Sequence, residues 1–176
     1  MSLPLKIAIV GPESTGKSTL ARQLADFFNT SLAQEVARVY LSELNRAYTK
    51  EDLSAIARLQ MQEEDIARKN AKDVFFADTN LLVIKVWSEY KYRHCDPWIL
   101  ENMNLPDYDM HFLAGTDVPW EFDPQRENPF QREELYDIYR RELEEAGVLF
   151  HELKGNAEKR LSDAVIATKI LLFACS

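Results

Sequence analysis

Gly11-Pro12-Glu13-Ser14-Thr15-Gly16-Lys17-Ser18-Thr19 carries the spacing G-x-x-x-x-G-K-S, and the residues on either side decide how it is read. Upstream, Leu5-Lys6-Ile7-Ala8-Ile9-Val10 is an apolar run of strand length. Downstream, Leu20, Leu24, Phe27 and Phe28 recur at helical spacing. Strand, glycine loop and helix in that order make a phosphate-binding loop, or P-loop. Gly11 and Gly16 permit backbone conformations closed to other residues. The loop amides can then converge on a phosphate chain at the positive end of a helix dipole. Lys17 is placed to reach the β- and γ-phosphates of a nucleotide, and Ser18 to offer its hydroxyl to Mg2+. Glu13, Ser14, Thr15 and Thr19 complete the expected ATP-binding stretch.

The totals bound the alternatives. The chain has 176 residues, 46% hydrophobic and 28% charged, as expected of one globular domain over 1–176 with a sizeable core. A net charge of −8 argues against a nucleic-acid partner, which selects a basic face. Cys95 and Cys175 stand far apart, so neither a disulfide framework nor a metal site is expected, and a reducing cytoplasm suits them. No apolar run approaches the length of a membrane span, and no secretory leader is expected. His94, His111 and His151 share no ligand spacing and read as structural or surface residues.

Around the P-loop, the chain alternates strand and helix signals. Ser31 to Arg38 reads as strand two, ending near Glu35, which places Glu35 and Arg38 where open α/β sheets meet their ligands. Thr49 with Asp52 three residues on is a capping box, opening a helix that runs to about Ala71. Gln60 and Glu64 interrupt its apolar stripe; a solvated helix edge is expected there rather than a turn into the site. Asp73 to Asn80 is an apolar strand closed by an acid. Asp78 is positioned to hold the hydration shell of Mg2+ or to accept a hydroxyl proton. Leu81 to Arg93 is an aromatic-rich helix, and core packing is expected for Trp87 and for Trp98 of the following helix. Asp109 to Ala114 is strand four. The proline-rich polar stretch after it, about 115–132, reads as a lid, with Arg126 and Arg132 able to close on a transferring phosphate. A helix ended by Gly147, strand five at Val148–Leu153, a turn at Lys154-Gly155-Asn156 and a closing helix complete the chain. The pattern predicts an α/β fold of nucleoside/nucleotide-kinase-like P-loop type: a five-stranded parallel sheet with helices on both faces and a lid after strand four.

The wording is more specific than the pattern. The P-loop, Glu35-x-x-Arg38, Asp78-Thr79, Val86-Trp87-Ser88-Glu89-Tyr90-Lys91, and Asp117-Val118-Pro119-Trp120 with Asp123 and Arg126 together resemble the NadR-type ribosylnicotinamide kinase domain over nearly the whole chain. The resemblance implies phosphotransfer from ATP, with Mg2+, to the 5′-hydroxyl of nicotinamide riboside, giving nicotinamide mononucleotide. It implies Lys17, Asp78, Glu35 and Arg126 as catalytic residues and Ser18 and Asp78 at the metal. It also implies Glu35, Arg38, Asn80, Trp87, Trp120 and Asp123 on the nucleoside. Asn156, in the turn after the last strand, is expected to border the adenine, with Arg132 also on ATP. No H-x-G-H motif is present, so the adenylyltransferase half found in bifunctional members is not expected. This sequence departs from the family wording at three places: Asn80 stands where an Asp is usual after Asp78-Thr79, Val36 where a Tyr is usual, and Gln34 where an aromatic is found in bifunctional members. Two alternatives remain open at this stage: a nucleotide-binding regulator with slow ATP hydrolysis, and a kinase for another nucleoside or nucleotide. Whether Asp78 or Glu35 is the base, whether ATP or GTP is preferred, and whether the chain is a monomer or a homodimer are likewise open.

Overall fold

The computed structural model describes residues 3–175. Five parallel strands are β1 (Leu5–Val10), β2 (Leu32–Ala33), β3 (Val74–Asp78), β4 (Met110–Ala114) and β5 (Phe150–Leu153). They lie in the order β2-β3-β1-β4-β5. Every described pairing is parallel, with Ile9 beside Asp78 on one flank of β1 and beside Phe112 on the other. From β1 the chain crosses to the edge strand β2, comes back inward for β3 beside β1, then passes to the other flank for β4 and β5. The loop leaving β1 therefore sits where the winding reverses, the position at which open α/β sheets hold ligands.

Among the described residues there are seven α-helices: α1 (Lys17–Phe28), α2 (Val36–Glu43), α3 (Lys50–Asn70), α4 (Leu81–Tyr92), α5 (Pro97–Asn102), α6 (Arg132–Glu145) and α7 (Ala157–Ala174). The strands are apolar on both faces because both are covered. Ile7, Ile9, Val74 and Phe76 pack with Leu20, Leu24, Ala164 and Val165 from α1 and α7. Ala8, Val10, Phe75 and Ala77 pack with Leu82, Val86, Leu135, Tyr139 and Leu143 from α4 and α6. A third cluster, with Leu53, Ile56 and Ile99, joins α3 to α4 and α5.

Local signals set several boundaries. The Thr49–Asp52 capping box opens α3, with the Thr49 N–H donating to Asp52 at 2.7 Å. Arg46 closes on the same carboxylate with two bonds of 2.6 and 2.8 Å. Asp96 caps α5 ahead of Pro97, and Gly147 follows α6 in a left-handed conformation.

Two expectations are corrected. Strand two is only Leu32–Ala33, and Glu35 is already the N-cap of α2, so Arg38 projects from a helix rather than from a strand end. Gln60 and Glu64 are not a solvated edge, since both are buried. The Gln60 amide bonds the backbone around Glu35. Glu64 accepts from Tyr108 at 2.7 Å and pairs with Lys6 at 3.0 Å. Buried polar groups persist where such partners exist, and here those partners come from distant parts of the chain.

Candidate active site

The P-loop is held open by its own backbone. Gly11 has φ +134°, and a Cβ there would come within 2.9 Å of the Ala114 carbonyl oxygen at the end of β4. Gly16 has φ +78° and is the N-cap of α1, with no side chain capping the helix. The first N–H groups of α1 are therefore left to an anion. Thr15 ties its hydroxyl back to the Pro12 carbonyl at 2.8 Å, and the Lys17 ammonium donates to the same oxygen at 2.6 Å. Burial pulls the Lys17 pKa below its ordinary value, while the charges of Glu35, Asp78 and Glu13 pull it back up. Lys17 thus stands as the cation among three carboxylates, poised for a more highly charged partner.

Asp78 ends β3 directly beside β1. It is buried, one carboxylate oxygen has no partner, and its pKa is pushed up to about 6. Desolvation is the main cause and the Glu35 charge the second; the Ser18 hydroxyl and the charges of Lys17 and Arg22 oppose them. A buried carboxylate with an orphaned oxygen next to a P-loop hydroxyl is a donor set that suits a hydrated divalent cation.

The segment between β4 and α6 has no regular structure and lies closed over the P-loop. Glu13 accepts from the backbone N–H groups of Glu127 and Asn128, at 2.8 and 3.2 Å, and from the Asn128 amide at 3.1 Å. Ser14 Oγ accepts from the Glu121 N–H at 2.8 Å and from Arg126 at 3.2 Å, while Arg132 donates to the Ser14 carbonyl at 3.0 Å. On the far side, Arg38 pairs with Asp123 at 2.9 Å, and Gln125 donates to the Arg38 carbonyl at 3.1 Å.

Beneath this segment is a cavity of about 930 Å3, at the upper end for ligand sites. Its wall runs from Gly11–Thr19 past Glu35, Arg38 and Arg126 to an apolar end that includes Trp87, Val83 and Leu41. Trp87 is part of this wall and, half-buried, also packs against the cluster of Leu53, Ile56 and Ile99, as expected of a core residue. Its indole N–H donates to the Tyr48 hydroxyl at 2.9 Å. Tyr48 also accepts from Lys91 at 2.6 Å and donates to Glu127 at 2.5 Å, coupling this end of the cavity to the loop above it. Trp98 is half-buried elsewhere, with the Arg58 guanidinium 3.8 Å from its ring centre.

The other expected residues take different places. Asn80 is fully buried away from this cavity and caps α4, accepting the Leu82 N–H at 3.1 Å. Asn156 caps α7 by accepting the Lys159 N–H at 2.9 Å and is not in the cavity wall. Arg132 is spent on the carbonyls of Ser14 and Val118, and Trp120 lies 5.8–6.0 Å from the guanidiniums of Arg132 and Arg126. Both shape the loop rather than the wall, as does Asp123 through Arg38.

Arg160 escapes a sequence reading altogether. It is buried, and it donates to the carbonyls of Thr15 at 2.7 Å, Gly115 at 3.0 Å and Gly155 at 2.9 Å, and to Asp117. One guanidinium therefore joins the P-loop, the end of β4 and the start of α7. Its cue is a cation one turn inside the positive end of a helix, where it is disfavoured without dedicated acceptors.

Comparison with known proteins agrees with this architecture. The family described as AAA domain matches residues 6–160. The trifunctional NAD biosynthesis/regulator protein NadR of Escherichia coli (strain K12) is 30% identical over 152 residues, which cover 82% of this chain and 37% of that protein. The protein of the same name from Salmonella typhimurium is 31% identical over 126 residues, covering 68% and 30%. The chain thus spans about a third of the length of these relatives. Among solved structures, NadR protein in complex with NR superposes with a TM-score of 0.82 at 20% identity, over 97% of this chain and 52% of that one. Thymidylate kinase from Ehrlichia chaffeensis superposes at 0.69 with 12% identity, over 96% and 100%. The fold is that of P-loop kinases. With its P-loop, its β3 acid and its sheet order inside the matched region, the chain belongs to the AAA-domain family and is similar to NadR over most of its length.

Proposed function

We propose that the chain is a small-molecule kinase that transfers the γ-phosphate of ATP to the 5′-hydroxyl of nicotinamide riboside, yielding nicotinamide mononucleotide and ADP. The observation that carries this reading is the cavity itself. It is continuous from a phosphate cradle at Gly11–Thr19 to a separate acceptor end at Glu35, Arg38 and Trp87. A nucleotide switch needs only the first half. The NadR relatives, one of them solved with NR, support the choice of acceptor.

In this reading the whole of 1–176 works as one kinase domain with a lid at about 115–132. The P-loop amides and Lys17 hold the β- and γ-phosphates. Ser18 and Asp78 would hold Mg2+, which would supply neutralisation of phosphate charge. Glu35, whose carboxylate makes no bond to the helix it caps, faces the acceptor hydroxyl and takes its proton or clamps the ribose. Arg126, held by Ser14 and the Glu121 carbonyl in the closed loop, balances charge on the transferring phosphoryl group. The closed loop excludes water, favouring transfer over hydrolysis.

ADP release with MgATP, measured against nicotinamide riboside, other nucleosides, their monophosphates and no acceptor, tests this. A response to nicotinamide riboside is expected. A response to another acceptor alone would replace the substrate and keep the mechanism. Slow release independent of any acceptor would favour the regulator.

A further inference from the structure

Glu35 is the N-cap of α2, yet its side chain caps nothing. A helix start leaves backbone N–H groups without intrahelical partners, and a polar N-cap side chain ordinarily folds back to take one of them. Had Glu35 done so, its carboxylate would be turned onto its own helix and away from Lys17 and the cavity. The first N–H of α2, that of Val36, lies one position short of those an N-cap side chain reaches, and it is taken by Gln60 from the middle of α3: Gln60 Oε1 accepts it at 3.0 Å. The other half of the same amide donates to the Gln34 carbonyl at 3.1 Å. Gln60 therefore grips the backbone immediately before and immediately after Glu35, leaving only the Glu35 residue between the two contacts. It is 1% exposed and sits among Leu53, Ile56, Ala57 and Ala67 on the buried face of α3. A buried amide is tolerated only where its polar atoms are bonded, and here both halves are used.

We propose that Gln60 is a positioning residue: by bonding the backbone on either side of Glu35, it fixes the turn that directs the Glu35 carboxylate to the acceptor end of the cavity. This rests on the reading of Glu35 as the acceptor-side carboxylate. Gln60 touches no reactant, and its effect passes entirely through the Gln34–Val36 backbone.

The test uses the full chain in four forms: wild type, Gln60→Met, Glu35→Gln and the double variant. Three quantities are read: kcat/KM for nicotinamide riboside, the dissociation constant of ATP, and hydrogen exchange of the Val36 amide. Gln60→Met is expected to lower kcat/KM by about ten- to a hundredfold, the scale of a misplaced reacting group. ATP binding should stay within about twofold, since Gln60 bonds the Gln34–Val36 backbone and not the P-loop, and Val36 exchange should accelerate. In the Glu35→Gln background, the same change should cost little more, because its effect has already been removed. An equal fractional loss in both backgrounds would mean a merely structural role and overturn the proposal. So would unchanged Val36 protection, or wild-type kcat/KM in Gln60→Met. Should Gln60→Met not fold, Gln60→Asn, whose amide is one methylene too short to bond both sides of Glu35, takes its place under the same criteria. If the wild type transfers phosphate to no nucleoside, the functional reading fails, while the Val36 exchange comparison still decides whether Gln60 fixes this turn.

Discussion

Replacing Arg160 with Met should loosen three parts of the fold at once, and the structure sets the size of the effect. The guanidinium is 4% exposed and bonded to the carbonyls of Thr15, Gly115 and Gly155. Methionine fills much of the space and leaves those acceptors without donors. At about 1 kcal/mol or more for each orphaned buried acceptor, the loss is about 3 kcal/mol. The Asp117 pair adds little, because that carboxylate is 41% exposed and water replaces the guanidinium. A total of about 3–4 kcal/mol corresponds to a fall in Tm on the order of 10 °C for a chain of this length. Urea unfolding, with an unchanged slope, measures it directly. Asp117→Asn is the internal comparison and should cost less than about 1 kcal/mol. Because Thr15 lies in the P-loop, Arg160→Met should also weaken ATP binding even below its Tm. A loss under about 1 kcal/mol, or equal losses for the two variants, would refute the account of Arg160 as a three-way clamp.

Further outcomes follow from the same geometry. Lys17→Ala should abolish phosphotransfer while leaving a folded protein by circular dichroism; turnover at the wild-type rate would remove the P-loop from the mechanism. Glu13→Gln, which weakens the three bonds holding Glu127 and Asn128 down, should lower kcat and raise the ratio of ATP hydrolysis to transfer; an unchanged ratio would show that Glu13 does not hold the loop. The acid-range stability profile of the ligand-free protein should respond to Asp78→Asn. Asp78, raised to about 6 from an ordinary 3.8, contributes stability that is present below about pH 4 and lost as pH rises through 6. His111, buried and lowered to about 4 from 6.5, does the opposite, its contribution being lost as pH falls through that window. The two oppose each other in the wild type. Removing Asp78 should therefore steepen the rise of stability from about pH 4 to 6 and stabilise the ligand-free fold at pH 7–8; a flatter profile would contradict the assigned burial of Asp78.

What could be read from the sequence was whatever is written locally. The P-loop between an apolar run and a helical stripe, the acid closing β3, the Thr49–Asp52 box and the Asp96-Pro97 start each need only a few consecutive residues, and each stands where expected. The misreadings have two causes, a partner distant in sequence for Gln60 and Glu64 and a competing local cap or helix start for the rest. Gln60 and Glu64 look solvated until the Glu35 turn, Lys6 and Tyr108 fold against them. Asn80 is drawn into capping α4, and Asn156 into capping α7. Strand two shrinks to two residues because the helix beginning at Val36 claims the rest. Arg160 and Tyr48 tie the P-loop and the acceptor end to the remainder of the fold; the one local cue, a cation near the start of a helix, marks Arg160 alone.

The central claim is transfer of a phosphoryl group between two substrates held in one cavity. Mass analysis of the products formed from MgATP and nicotinamide riboside addresses it most directly. The account predicts nicotinamide mononucleotide and ADP in equal amounts, with neither formed by Lys17→Ala. ADP accompanied by inorganic phosphate, with nicotinamide riboside recovered intact, would contradict it.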